Sequence, residues 1–193
     1  MEIRETDIPG LLIIEPRVFE DERGYFYESF NERLFAERGL DIRFVQDNES
    51  RSRRDVIRGL HYQLEPYAQC KLIRVLEGAI LDVAVDLRKN SPTYGSWCGI
   101  EISAENRLQV LVPEGFAHGF RVTSDFATIF YKCDKFYHPE SERGILFSDK
   151  ALAIEWGIEP ERAIVSKKDS TAPLFADAEN NFIYKPEKKI TKQ

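Results

Sequence analysis

Apolar and polar residues alternate in short runs along most of the chain, and the runs stop at glycine, proline, serine or aspartate. Side chains of an extended segment point alternately to opposite faces, so this alternation predicts half-buried strands. Over residues 71–75 apolar and charged positions alternate, and Glu77-Gly78 supplies a turn. The pattern resumes over 80–88, with Asp82, Ala84 and Asp86 on one face and Leu81, Val83, Val85 and Leu87 on the other. The two runs read as a hairpin. Segments 107–112, 119–122 and 127–133 repeat the strand pattern, with breaks at Pro113-Glu114-Gly115 and Ser124-Asp125. One helix is predicted over 31–38, capped by Asn31, ended by Gly39 and burying Leu34 and Phe35; a shorter helical turn is predicted over 149–154. Many closely spaced strands with a few short helices predict a mainly β fold, a barrel or jelly roll.

No repeat, linker or composition shift divides the chain, so residues 1–176 are expected to form one domain. Residues 177–193, with Lys185, Lys188, Lys189 and Lys192, are expected to be a polar, loosely held tail. The 193 residues are 42% hydrophobic and 31% charged, enough to bury a core unaided. A net charge of -6 lacks the basic field of a nucleic-acid binder, so an anionic ligand must be met by a local cationic cluster. No apolar run approaches a membrane span, and MEIRETDIPG lacks the pattern of a signal peptide, from which a cytoplasmic location is expected. Cys70, Cys98 and Cys133 are odd in number and form no CxxC or Cys/His pattern, so buried thiols are expected rather than a disulfide frame or zinc knuckle.

Strand parity singles out two polar residues. Lys71 shares a face with Ile73 and Val75, and Tyr131 shares one with Ile129 and Cys133. An inward lysine either snorkels to water from the strand end or enters a binding cavity, and an inward tyrosine is commonly a packing residue with a satisfied hydroxyl. Arg58-Gly59-Leu60-His61-Tyr62-Gln63 sets an arginine and one of three histidines beside a glycine. His118 lies in the strand-entry turn of Pro113-Glu114-Gly115-Phe116-Ala117-His118-Gly119-Phe120. Two histidines on β strands suggest a metal cupin, but His61-Tyr62-Gln63 offers one good ligand where such a motif needs several, so no metal site is expected. Taken singly, each histidine is more often structural than catalytic, and His138, before Pro139, is read as structural. Arg23, Arg58, Lys71 and Lys168 lie near turns or strand ends, suited to a diphosphate if brought together and to solvated surface if not. No Gly-rich phosphate loop, GxSxG elbow or HExxH motif is present.

Taken in order, EPRVFEDERGYFYESF, FVQDNESRS, VIRGLHYQ, AQCKLIRVLEG, DVAVDLRKNSPTYG, PEGFAHGF, YKCDKFYHP and SKKD resemble the dTDP-4-dehydrorhamnose 3,5-epimerase family over nearly all of residues 1–175. The resemblance implies a cupin-like jelly roll and a homodimer in which segments near the N-terminus help complete the partner's sheet. It implies His61 as general base, Asp169 as its orienting carboxylate, Tyr131 as proton donor and Lys71 beside the sugar C4 oxygen. By the same resemblance Arg23, Glu28, Gln46, Asn48, Arg58, His118, Glu142 and Lys168 contact the dTDP-sugar, and Tyr137 stacks on thymine. Cys70 and Phe147 depart from the family, which often has a smaller residue at the first and tryptophan at the second. The implied reaction inverts C3 and C5 of dTDP-4-dehydro-6-deoxy-D-glucose to give dTDP-4-dehydro-β-L-rhamnose, with no cofactor. A C4 ketone acidifies both positions by delocalising the carbanion onto oxygen, so a base, an acid on the other face and a group holding the oxygen suffice. A C3-only epimerase and a non-catalytic sugar-nucleotide-binding cupin remain as alternatives.

Overall fold

The structure, a computed structural model, describes residues 1–186. Its strands, numbered in chain order, form two antiparallel sheets and a separate hairpin. The six-stranded sheet runs β1 (Glu2–Glu5), β2 (Leu12–Glu15), β10 (Gln109–Val112), β7 (Lys71–Glu77), β12 (Phe126–Cys133) and β5 (Gln46–Arg53). The five-stranded sheet runs β13 (Glu142–Gly144), β6 (Ile57–Gln63), β11 (Phe116–Val122), β8 (Ala79–Asp86) and β9 (Trp97–Ser103). The hairpin is β3 (Phe19–Asp21) with β4 (Gly24–Phe26), and two short helices are α1 (Glu32–Glu37) and α2 (Lys167–Ser170). The mainly β expectation holds, as a jelly roll of two facing sheets rather than a closed barrel.

Apolar residues fill three layers. Between the sheets, Ile73, Val75 and Ile129 of the first meet Ile80, Ala84, Phe116 and Phe120 of the second. Outside the five-stranded sheet, Val83, Val85 and Leu87 lie under Ile145, Phe147, Leu152, Trp156 and Phe182. Outside the six-stranded sheet, Leu72 and Leu111 lie under Phe35 of α1. β8 is therefore buried on both faces, and the face that faces the interior is the one carrying two aspartates. Its Asp86 is fully buried and satisfied by Arg88 Nε at 2.9 Å and the Ser91 and Thr93 hydroxyls at 2.6 and 2.8 Å.

Asn31 caps α1 by accepting from Leu34 N at 3.3 Å, and Phe35 is the helix's buried residue. The helical turn predicted over 149–154 is present as a single turn, with Ala153 N donating to Asp149 O at 3.1 Å, and does not extend into a helix; the buried Asp149 carboxylate accepts from Ala151 N at 2.8 Å and Phe175 N at 2.6 Å. The segment expected to be loose from 177 is packed where it is described: Phe182 is 3% exposed, and the Tyr62 hydroxyl donates to Glu179 O at 2.6 Å. Residues 187–193 of that expectation lie outside the described residues. All three thiols are free, Cys70 and Cys133 buried and Cys98 half-buried. At the site, β6 and β11 approach closely because Gly59 and Gly119 meet there. A Cβ on Gly59 would stand 2.5 Å from Gly119 Cα, and one on Gly119 would stand 2.7 Å from Arg58 O.

Candidate active site

The close approach of β6 and β11 puts His61 and His118 opposite each other in register. His61 Nε2 lies 2.7 Å from Asp169 Oδ1. Asp169 is delivered by α2, whose cap Ser166 accepts from Asp169 N at 3.1 Å, and its second oxygen accepts from Gly59 N at 3.4 Å. Burial alone would raise the Asp169 carboxyl, but the His61 hydrogen bond and charge, with the Gly59 N–H, hold it below its ordinary value. An ionised Asp169 fixes the tautomer with Nε2–H, leaving the lone pair of Nδ1 for chemistry. The His61 side chain is 31% exposed and that of its partner 5%, so the imidazole is reachable while the carboxylate is not.

The opposite wall belongs to the six-stranded sheet. Lys71 on β7 pairs with Cys133 on β12, and Tyr131 pairs with Ile73 on one side and Asn48 of β5 on the other. Parity puts both side chains on the interior face, as expected, with Tyr131 packed against the central cluster. His61, Lys71 and Tyr131 line two adjoining cavities. The first, about 220 Å3, continues past Gln46, Asn48, Tyr137 and Glu142; the second, about 170 Å3, past Ser50, Arg58, His118, Phe120 and Ile129. Burial lowers the Lys71 ammonium from its usual value, against the upward pull of Cys133, Glu142 and Asp82. Among the described residues no carboxylate comes within ion-pair reach of it, so its charge is available to a ligand. Burial raises the Tyr131 phenol, assisted by Cys133 and opposed by Arg58, which keeps it protonated as a donor must be.

Around this centre, Arg58 Nε donates to the buried Ser52 hydroxyl at 3.1 Å, leaving the rest of its guanidinium for an anion. At the mouth the Tyr137 hydroxyl donates to Glu142 Oε2 at 2.7 Å, and Lys168 Nζ lies 2.5 Å from the same oxygen. Burial would raise Glu142, but Lys168 and Tyr137 hold it below its ordinary value. Gln46 Nε2 donates to Asn48 Oδ1 at 3.1 Å. Of the thirteen residues expected at the site, eleven are thus in or beside one cleft. Arg23 and Glu28 are not. Arg23 is on the β3–β4 hairpin, paired with Asp21 and 85% exposed in its side chain, and Glu28 lines a separate cavity of about 310 Å3 with Phe30, Leu34 and Phe35. That larger cavity has no acid–base pair, so the smaller cleft is the candidate site.

Sequence reasoning missed a carboxylate beside the cleft. Asp82 of β8, 1% exposed, accepts from His118 Nε2 at 2.8 Å, and its other oxygen is buried without a partner. It shares a strand face with Ile80 and Ala84, but the sequence does not say which face of so apolar a strand is inward. His138 is held by Ser141 Oγ at 2.9 Å and stacks on Tyr67 with ring centroids 3.7 Å apart, in line with its structural reading. Among the described residues no group of three or more His, Cys, Asp or Glu side chains is arranged to hold a metal. No helix among them is long and apolar enough to cross a membrane. In chemical terms the cleft has an imidazole paired with a carboxylate on one sheet, and a phenol and an ammonium on the facing sheet.

A family model described as dTDP-4-dehydrorhamnose 3,5-epimerase matches residues 5–177. The curated protein of that name from Shigella flexneri is 54% identical over 180 residues, covering 93% of this chain and 98% of the relative. A solved dTDP-6-deoxy-D-glucose-3,5-epimerase from Legionella pneumophila, in complex with dTDP-4-keto-L-rhamnose, superposes with a TM-score of 0.90 at 49% identity, covering 96% of this chain and 99% of that one. A solved 3'-monoepimerase from Streptomyces bikiniensis, in complex with dTDP-quinovose, superposes with a TM-score of 0.82 at 34% identity, covering 89% and 86%.

Proposed function

The chain belongs to the dTDP-4-dehydrorhamnose 3,5-epimerase family, and from that membership we propose that its cleft inverts C3 and C5 of dTDP-4-dehydro-6-deoxy-D-glucose by proton transfer alone. The observation that carries this reading is the His61–Asp169 pair facing Tyr131 across a cavity that also holds Lys71. His61 Nδ1 removes the proton at C3, and the C–H electrons move through the C3–C4 bond onto the carbonyl oxygen. Lys71 holds the resulting enolate oxygen with its positive charge. The Tyr131 hydroxyl gives a proton to C3 from the opposite face as the carbonyl reforms; His61 then releases its proton to water, Tyr131 regains one from water, and the sequence repeats at C5. Arg58 and Lys168 meet the diphosphate, Gln46, Asn48, His118 and Glu142 hold the sugar and nucleotide, and Tyr137 stacks on thymine.

Arg23 and Glu28 fit this scheme in a homodimer. The β3–β4 hairpin stands outside both sheets with Phe19, Tyr25 and Phe26 53%, 58% and 67% exposed, an apolar tip suited to covering by a second copy. Arg23 on that tip then serves the partner's cleft. Three free thiols suit a reducing compartment, so the cytoplasm is the proposed location.

The test is incubation with dTDP-4-dehydro-6-deoxy-D-glucose in deuterated water, with deuterium located by NMR. Label at both C3 and C5 is expected. Label at C3 alone would make this a monoepimerase like the Streptomyces bikiniensis neighbour, and no label would reduce the chain to a binding module.

A further inference from the structure

Tyr137 sits on the loop between β12 and β13, 52% exposed, with no strand or helix to hold it. Its backbone is nonetheless tied at three successive residues. Gln63 Nε2 donates to Phe136 O at 3.4 Å, Gln46 Oε1 accepts from Tyr137 N at 2.9 Å, and Gln63 Oε1 accepts from His138 N at 2.8 Å. Gln63 Nε2 also donates to Tyr67 O at 2.6 Å, so both ends of one amide are committed to two loops. Gln63 is 4% exposed and lies on β6, two residues beyond His61, where it pairs with Glu142 of β13. Glu142 in turn accepts from the Tyr137 hydroxyl. Ring and backbone of the same tyrosine are therefore anchored to neighbouring positions of one strand pair.

An exposed aromatic on a free loop loses conformational freedom when a base stacks on it, and a loop already fixed avoids that cost. An amide side chain offers two N–H donors and an acceptor in one plane, matching the carbonyls of Tyr67 and Phe136 and the N–H of His138. We propose that Gln63 is a positioning residue for nucleotide recognition, latching the 65–69 and 134–139 loops together so that the Tyr137 ring is preset for the thymine base. This rests on the reading of Tyr137 as the base platform. The proton-transfer groups stand on other strand positions, so the latch acts on binding and not on turnover.

The test is a double-mutant cycle on dTDP affinity, measured by calorimetry, with kcat and Tm followed in parallel. Tyr137→Ala is expected to weaken dTDP by about tenfold or more, the usual worth of base–aromatic stacking. Gln63→Leu is expected to weaken dTDP by a similar factor while kcat at saturation changes by less than about twofold. In the Tyr137→Ala background Gln63→Leu should add almost nothing, because the platform it presets is gone. If Gln63→Leu does not fold, Gln63→Glu carries the same cycle, since it keeps the acceptor for His138 N–H and loses both donors. Equal effects of the Gln63 change in both backgrounds, or a fall in kcat and Tm with dTDP affinity intact, overturn the latch and leave the platform standing. Unchanged affinity in Tyr137→Ala overturns the platform, and the latch with it.

Discussion

His61 and His118 are direct partners in the β6–β11 register, and each donates Nε2–H to a buried aspartate, at 2.7 and 2.8 Å. The surroundings separate them. His61 is 31% exposed in its side chain and its carboxylate comes from a four-residue helix; His118 is 11% exposed and its carboxylate comes from the adjacent strand β8. Asp169 is hydrogen-bonded on both oxygens, whereas Asp82 keeps one buried oxygen without a partner and adds to the field that favours a charged Lys71. Both rings line the cleft and differ in how far they open to it, so on the proposed reading the more exposed His61 carries the proton and the nearly buried His118 is a fixed contact. Pairing with aspartate does not make a histidine a base; access to substrate does.

The largest effect expected follows from that contrast. His61→Asn should lower solvent exchange at C3 and C5 by about a thousandfold or more, in the range of a lost general base, while dTDP still binds. His118→Asn should lower it far less, by about tenfold, as for one lost hydrogen bond to a bound ligand. NMR-detected exchange on both variants checks the order, and a reversed order would move the base to His118.

Next in size is the loss on the facing sheet, which sharpens the comparison by testing what His61 works against. Tyr131→Phe keeps the ring against the central cluster and removes only the hydroxyl. The enolate formed by His61 is then reprotonated mainly by His61, which restores the starting configuration. Deuterium should still enter the sugar while inverted product falls by about a hundredfold. An NMR time course that follows isotope content and epimer ratio together measures both; if they fall in step, Tyr131 is not the acid.

Much of this site was legible because a strand's side-chain period is two. Lys71 and Tyr131 were placed inward by the apolar residues on their own faces, and Asn31 and Gly39 bounded α1 by their capping chemistry. The pairing of His61 with Asp169 was not legible from spacing, since 108 residues separate them and the α2 pattern is four residues long; it rested on the family resemblance. Asp82 escaped because burial of both β8 faces removes the contrast by which parity is read, and a strand face bearing two aspartates looks solvent-facing. Gln63 escaped for another reason. Its partners are backbone atoms of residues 67, 136 and 138, and backbone leaves no trace in residue type. Residues after 177 read as a tail because of their lysines and other polar residues, yet Phe182 and Ala178 pack the segment against the second core layer.

The smallest effect expected concerns stability. Asp169 has its folded pKa held down, by His61 first among the favourable contacts and against the opposing pull of burial. A carboxyl depressed on folding contributes stability that is present above its unfolded value of about 3.9 and is lost as pH falls through the lower folded value. Asp169→Asn removes that contribution at neutral pH and has nothing to lose in acid. The Tm of the wild type should therefore exceed that of the variant above about pH 4, and the two should converge as pH drops below it. Calorimetric Tm measured from pH 7 down to the acid limit of folding checks the sign as well as the size. A gap that stays constant into acid would mean that Asp169 stabilises by packing and neutral hydrogen bonds alone. The His61 pair would then resemble its partner across the ladder in energetics, and differ from it only in reach.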